Sequence, residues 1–189
     1  MKEFISPANA MTSGNLACGL VAIILSAQGE FGWAAGVVGM GAALDALDGV
    51  VARQFPVDDD GFGSNLDSLA DLATFGAAPA IMLYQSMLHE LHIAGIAATL
   101  GFVLCGAWRL ARFPLVEATR HFVGLPIPVA GVIAVVLAAW QPPSEFALTI
   151  TFAVTVLMIS ALPFPTLFPN RRARHAHERE LEEAGASSK

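Results

Sequence analysis

The chain has 189 residues, of which 55% are hydrophobic and 14% charged, and its mean hydropathy is +0.61. This composition excludes an ordinary soluble domain of that length and favours an integral membrane protein. The formal charge of −6 comes largely from residues 58–60 and the acidic end of the tail, which we interpret as solvated surface. We expect no nucleic-acid partner. Cys18 and Cys105 fall in apolar segments and indicate neither a disulfide framework nor a zinc cluster.

Six apolar segments follow one another along the chain, each close to the length of about 20 residues that a membrane-spanning helix needs. Before them, Met1–Thr12 mixes apolar and polar residues and could lie as a short interfacial helix. The predicted fold is therefore an all-α integral membrane bundle of six transmembrane helices. Its domain covers residues 1–168, and a polar cytoplasmic tail, 169–189, follows. We place the six helices at residues 14–28, 31–53, 63–86, 91–113, 124–140 and 144–164.

All ten basic residues fall on one side of this predicted topology. The connections on the other side, around residues 29–30, 86–90 and 141–145, contain no lysine or arginine. Because cytoplasmic flanks attract Lys and Arg, we expect both termini on the cytoplasmic side of the cell membrane. Basic residues of the tail could contact anionic lipid head groups. Residues 1–13 lack an apolar core ahead of a small-residue cleavage site, so we expect no cleaved signal peptide.

Four aspartates occur at helical spacings within this apolar sequence. Asp45 and Asp48 lie near the predicted cytoplasmic end of the second helix, and Asp67 and Asp71 lie in the first two turns of the third. These spacings place each pair on one helix face, and two antiparallel neighbours would present all four at a similar depth. Carboxylates are costly in membrane-spanning sequence and are kept mainly where they bind or move something. The pattern therefore predicts a site on the cytoplasmic side.

A divalent cation, Mg²⁺ or Mn²⁺, suits this site because the predicted ligands are all oxygens and four close anions would otherwise repel. Magnesium commonly shares its ligand shell with phosphate, which implies a phosphate-bearing ligand. One alternative pairs Asp45 and Asp48 with Arg53, although one arginine cannot neutralise four aspartates. A second makes Asp67 a cap of the third helix together with Ser64. A third alternative is a divalent-cation transporter. Against it, the outer halves of the predicted helices contain no matching carboxylates that would continue an ion path.

The arrangement resembles the signature of the CDP-alcohol phosphatidyltransferase family. That signature reads Asp45-x-x-Asp48-Gly49-x-x-Ala52-Arg53, nine residues, then Gly63-x-x-x-Asp67-x-x-x-Asp71, and every fixed position matches. Four further stretches are similar to the phosphatidylserine synthase branch, as is the nine-residue gap. These are Thr12-Ser-Gly-Asn15, Phe75-Gly-Ala-Ala-Pro79, Arg109-Leu-Ala-Arg112 and Gly124-Leu-Pro-Ile-Pro128.

The resemblance implies transfer of a phosphatidyl group from a CDP-linked lipid to the hydroxyl of L-serine, with release of CMP. The donor would be CDP-diacylglycerol or an archaeal ether analogue, and the enzyme would be a homodimer in contact with membrane lipids. A member of the same family that uses glycerol 3-phosphate or inositol phosphate is the alternative. A non-catalytic scaffold would leave the complete signature unexplained.

The resemblance also implies roles for particular residues. Asp71 would accept the proton of the serine hydroxyl, in addition to binding metal. Arg109 and Arg112 would recognise the serine carboxylate or the lipid phosphate, with membrane anchoring as the alternative role. Asn15 has helix capping as its alternative. The metal ligands would be Asp45, Asp48, Asp67 and Asp71, and the CDP-linked lipid would contact Asn15, Asp45, Gly49, Ala52, Arg53, Gly63 and Asp67.

Overall fold

The computed structural model describes residues 6–54, 61–116 and 124–160, and every regular element within these ranges is helical. Four stretches are long and apolar enough to cross a bilayer. The two remaining apolar helices have 14 and 16 residues, or about 21 and 24 Å at 1.5 Å per residue, against a hydrocarbon layer of about 30 Å. The helical membrane bundle is thus confirmed, whereas the number of six spans stays a prediction. The four long stretches are Pro7–Ala27, Phe31–Val51, Phe62–Ser86 and Leu88–Arg112.

The first helix, α1, runs Pro7–Ala27 and begins well before residue 14, where the sequence analysis placed its start. Ser6 caps it, because the Ser6 hydroxyl oxygen accepts the N–H of Asn9 at 3.0 Å. Pro7 occupies the first position, where a missing N–H costs nothing. The prediction of a separate interfacial helix is therefore wrong for residues 7–12, while residues 1–5 lie outside the described residues.

The second helix, α2, runs Phe31–Gln54 and packs antiparallel against α1. Gly29 has φ +80° in the turn between them, and the N–H of Glu30 donates to the carbonyl of Leu25 at 3.0 Å. Gly41 allows a close approach, since a Cβ there would lie only 2.8 Å from Asn15 Oδ1. The hairpin thus brings the start of α1 beside the second half of α2.

The next continuous helical stretch has three parts, α3 (Phe62–Asp71), a π-helical segment (Leu72–Ala77) and α4 (Ala78–Ser86). In the π segment the N–H of Ala78 donates to the carbonyl of Ala73, five residues back. Pro79 accounts for this wider turn, because it has no N–H for the Phe75 carbonyl and its ring would clash with that group in an α-helix. The sequence pattern predicted one uninterrupted helix at residues 63–86. The π segment begins directly after Asp71.

A short 3₁₀ turn, Leu88–Leu91, leads into α5 (His92–Val116), which is followed by α6 (Ile127–Trp140) and α7 (Ser144–Ile159). α6 starts later than the predicted residue 124, because Gly124 has φ +91° and the N–H of Leu125 donates to the carbonyl of Leu157 at 3.1 Å. The predicted end of α7 at residue 164 and the tail 169–189 lie outside the described part of the chain.

Exposed tryptophans lie near the ends of three helices. Trp33 and Trp140 are 72% and 70% exposed at one end of the bundle, and Trp108 is 70% exposed toward the other end, which carries the aspartates. Tryptophan is enriched at both membrane–water interfaces. Large apolar side chains such as Phe75 and Phe102 are almost fully buried inside the bundle. This distribution is typical of a helical membrane protein.

Candidate active site

Three of the four signature aspartates meet at one end of the bundle. Asp45 comes from α2, and Asp67 and Asp71 come from successive turns of α3. Each offers a carboxylate oxygen, and the three oxygens lie within 4.8 Å of one another. All three residues are half-buried, so the group is partly shielded from solvent. We call Asp45, Asp67 and Asp71 the carboxylate cluster.

Asp48 lies outside the carboxylate cluster and faces α1. It is 7% exposed, and its Oδ2 accepts a hydrogen bond of 2.8 Å from the hydroxyl of Thr12. Asp48 is nevertheless close enough to Asp45 and Asp67 to interact with both electrostatically. Thr12 was not among the site residues predicted from the sequence. Its spacing of three residues from Asn15 was the signal that could have identified a polar face of α1.

Asn15 lies in the middle of α1, so the capping alternative is wrong. Its side chain is completely buried, and neither Oδ1 nor Nδ2 has a hydrogen-bond partner within the described ranges. The π segment contacts the backbone of the same residue, because Thr74 Oγ1 donates to the Asn15 carbonyl at 2.8 Å. A buried amide without partners costs free energy, and such exceptions need a specific explanation.

The capping alternative for Asp67 is also wrong. α3 begins at Phe62, and Gly61, in the left-handed conformation, occupies the cap position. Asp67 lies in the second turn, and its carboxylate belongs to the cluster instead.

The two arginines of α5 differ in their surroundings. Arg109 is half-buried, its Nε has no hydrogen-bond partner among the residues that the structure describes, and its guanidinium interacts electrostatically with Asp71. Arg112, three residues later, is exposed. The same role was predicted for both arginines from the sequence. Of the two, the structure brings Arg109 and not Arg112 to the carboxylate cluster.

The glycines and the remaining signature residues flank the cluster along the backbone. Gly49 follows Asp48 in α2, and Gly63 lies in the first turn of α3. Both are half-buried. α2 continues through Ala52 and Arg53, whose side chains lie outside the described residues. The proposed pairing of Arg53 with Asp45 and Asp48 is therefore untested.

The residues present fit a divalent cation. All the converging donors are carboxylate oxygens, which suit hard ions such as Mg²⁺ and Mn²⁺. Asp71 Oδ1 is buried and has no hydrogen-bond partner within the described chain, so it retains its capacity to act as a ligand. The site therefore has the chemistry of a hard-metal centre.

Comparison with known proteins gives a consistent picture. Residues 6–164 match the model of the CDP-alcohol phosphatidyltransferase family. The archaetidylserine synthase of Methanothermobacter thermautotrophicus is 39% identical over 166 residues, which cover 86% of this chain and 71% of that protein. The CDP-diacylglycerol–serine O-phosphatidyltransferase of Bacillus subtilis is 36% identical over 156 residues, which cover 82% and 87%. A protein of the same description from Methanocaldococcus jannaschii is 34% identical over 173 residues, which cover 90% and 79%.

The matched region contains the whole carboxylate cluster, together with Asp48 and Arg109. It also contains all the described helices, so the similarity concerns the bundle and its site together. The chain belongs to the CDP-alcohol phosphatidyltransferase family, as its aspartate signature predicted.

Proposed function

We propose that this chain transfers a phosphatidyl or archaetidyl group from a CDP-linked lipid to the hydroxyl of L-serine and releases CMP. The observation that carries the proposal is the convergence of Asp45, Asp67 and Asp71 within 4.8 Å in a chain that keeps every fixed position of the family signature. The names of the similar proteins support serine as the acceptor. They include an ester-lipid and an ether-lipid enzyme, so both lipid classes are candidate donors.

The carboxylate cluster, together with Asp48, holds one or two divalent ions, Mg²⁺ or Mn²⁺. Such an ion, when bound, neutralises the pyrophosphate of the donor and stabilises the charge on the departing CMP. The side chains that contact the CDP-linked lipid come from α1, α2 and the start of α3. The buried, unpartnered amide of Asn15 supports its place among them. The full set is Asn15, Asp45, Gly49, Ala52, Arg53, Gly63 and Asp67.

Asp71 accepts the proton of the serine hydroxyl. The serine oxygen forms a bond to the phosphorus that carries the lipid, and the bond from that phosphorus to the CMP oxygen breaks. Asp71 suits this step because its buried Oδ1 has no competing hydrogen bond from the described residues. General-base catalysis contributes about 10²–10⁴-fold in enzymes, and positioning of the two reactants supplies much of the remainder.

Arg109 is the better placed of the two arginines to bind the serine carboxylate. Its guanidinium interacts with Asp71, so a carboxylate bound there would hold the serine hydroxyl near the base. A guanidinium also matches the geometry of a carboxylate. Arg112 is exposed and suits the lipid phosphate or the membrane surface.

The enzyme lies in the cell membrane with its site and both termini facing the cytoplasm, and it acts as a homodimer. Arg109 and Arg112 lie at the aspartate end of α5, which supports this orientation by the positive-inside rule. The described carboxylates outside the site are Glu30, Glu90 and Glu145, all at the opposite helix ends. None of them continues a path through the bundle, so a transporter receives no support from the described residues.

An acceptor comparison tests the proposed function. Purified protein in detergent is given CDP-diacylglycerol or its ether analogue with Mn²⁺ or Mg²⁺, and CMP release is measured with L-serine, glycerol 3-phosphate or inositol phosphate. We expect release that depends on serine and on the metal, and that is lost in Asp45→Asn. Release that depends on another acceptor would keep the chemistry but overturn the choice of serine. No release with any donor and acceptor would refute the proposed function.

A further inference from the structure

The hydrogen bond between Thr12 and Asp48 connects α1, which carries none of the eight signature positions, to the aspartates. We propose that Thr12 is a positioning residue that fixes the orientation of the Asp48 carboxylate and so sets the affinity of the site for its divalent ion. The inference deepens the proposed function and rests on its metal site.

The contact is well shielded from water. Thr12 is 5% exposed, Asp48 is 7% exposed, and Thr12 Oγ1 lies 2.8 Å from Asp48 Oδ2. A hydrogen bond to a charged acceptor is stronger than one between neutral groups, and low local polarity strengthens it further. The bond therefore restrains rotation of the carboxylate.

The Thr12 hydroxyl has a second acceptor within reach, the carbonyl of Ala8 at 3.0 Å. A hydroxyl has only one hydrogen to donate, and the carboxylate of Asp48 is both closer and charged. We therefore assign the hydrogen to Asp48 Oδ2. The other oxygen, Oδ1, takes no part in that bond, and the Asp48 carboxylate interacts electrostatically with Asp45 and Asp67.

The buried hydroxyl of Thr74 also reaches another helix, at the Asn15 carbonyl, whereas two other buried hydroxyls bond within their own helix. Ser26 donates to the carbonyl of Ala22 at 2.7 Å, and Thr151 donates to the carbonyl of Ala147 at 2.8 Å, both four residues back. Thr12 has the same local option with Ala8, yet it also reaches a carboxylate 36 positions further along the chain. The contact with Asp48 is thus a tertiary feature of the site and not a by-product of helix geometry.

Groups that hydrogen-bond a metal ligand orient it, and their loss typically weakens metal binding about 10- to 100-fold. Thr12→Val keeps the shape of the side chain but removes the hydroxyl. We expect it to weaken Mn²⁺ binding about tenfold, the lower end of that range. Thr12→Ser keeps the hydroxyl and should restore binding to within about twofold of the unchanged chain.

The test measures Mn²⁺ binding to the full chain in detergent, without lipid or serine, from the paramagnetic resonance signal of free Mn²⁺. Ser13→Ala is the matched control, because Ser13 is exposed and its hydroxyl donates to the carbonyl of Asn9 at 2.8 Å. Thermal unfolding without metal checks that each variant is folded. Thr12→Ala replaces Thr12→Val if the latter does not fold.

Weaker binding in Thr12→Val, with recovery in Thr12→Ser and no change in Ser13→Ala, supports the inference. Unchanged affinity in Thr12→Val overturns it, as does a Thr12→Ser variant that binds as weakly as Thr12→Val. The absence of serine-dependent CMP release would refute the proposed function, yet a Thr12 effect on Mn²⁺ binding would still stand. If the unchanged chain binds no Mn²⁺, the inference and the proposed metal site both fail.

Discussion

Buried polar side chains are distributed unevenly between two parts of the bundle. The polar half, which consists of α1, α2, α3 and the π segment, buries Thr12, Asn15, Asp48 and Thr74 in contacts between elements or without partners. In the apolar half, α5 to α7, Thr151 is the buried polar residue of the described ranges, and its hydroxyl is satisfied within its own helix. Arg109 is the member of the apolar half that reaches the carboxylate cluster.

The apolar half is held by close packing at two glycines. A Cβ on Gly131 would lie 2.6 Å from the carbonyl oxygen of Phe75, so α6 rests directly on the π segment. A Cβ on Gly106 would lie 2.8 Å from Ile127 Cδ1. Each unsatisfied buried polar group costs about 1–3 kcal/mol of folding stability, so the unpartnered side chains of the polar half lower the stability of the protein. The contrast indicates that the polar half carries the carboxylates, whereas the apolar half packs against it and contributes Arg109.

The largest expected effect is on the chemistry of the polar half. Asp71→Asn should reduce serine-dependent CMP release at least about 100-fold, because the amide cannot accept the serine proton and is a poorer metal ligand. Glu145→Gln, an exposed carboxylate at the start of α7, should leave the rate within about twofold, since surface changes away from a site are nearly neutral. Similar losses of CMP release in the two variants would show that the two halves do not differ in their contribution to the reaction.

Arg109 and Arg112 allow a half-buried and an exposed position to be compared within one helix. Arg109→Gln should raise the KM for serine about tenfold, because a hydrogen bond to a charged group is worth about 1.5–3 kcal/mol. Arg112→Gln should change it less than about twofold, because the exposed guanidinium is already solvated. Steady-state kinetics with varied serine give both values. Equal effects would assign the two residues the same role, against their different burial.

Packing in the apolar half can be tested at Gly131. Gly131→Ala should lower the free energy of unfolding by about 1–3 kcal/mol, because the new methyl group meets the backbone of Phe75. Gly101→Ala is the matched control in α5, where the nearest atom to a Cβ is Thr155 Cγ2 at 3.9 Å. We expect it to be neutral or slightly stabilising, because alanine favours a helix. Denaturant titration in detergent measures both, and a stable Gly131→Ala variant would contradict the close approach.

The smallest expected effect compares two buried threonines, one from each half. Thr74→Val removes the hydrogen bond to the Asn15 carbonyl and should cost about 1 kcal/mol of unfolding free energy. Thr151→Val removes only a bond to Ala147 in the same helix and should cost less than about 0.5 kcal/mol. The same denaturant titration applies. A larger loss in Thr151→Val would show that the apolar half also depends on its buried hydroxyl.

Much of the fold could be predicted from the sequence because hydropathy acts over whole segments. Each of the six predicted apolar segments overlaps a described helix, and α2 starts at the predicted residue, Phe31. Local capping was overlooked at the start of α1, where the pair Ser6 and Pro7 extends the helix. The π segment was also missed, since Pro79 in a long apolar run signals a distortion but does not specify its form.

The sequence by itself determined the family signature and the spacing that places Asp67 and Asp71 on one face of α3, because helical geometry fixes which residues of one helix are neighbours. Only the tertiary structure decided that Asp45 joins them while Asp48 faces Thr12, and that Arg109 approaches Asp71 while Arg112 is exposed. Those outcomes depend on how neighbouring helices are rotated and spaced against one another. That rotation is set by contacts between residues far apart in the chain, such as Gly41 with Asn15 and Gly131 with Phe75, and so cannot be obtained from the spacing within any one helix.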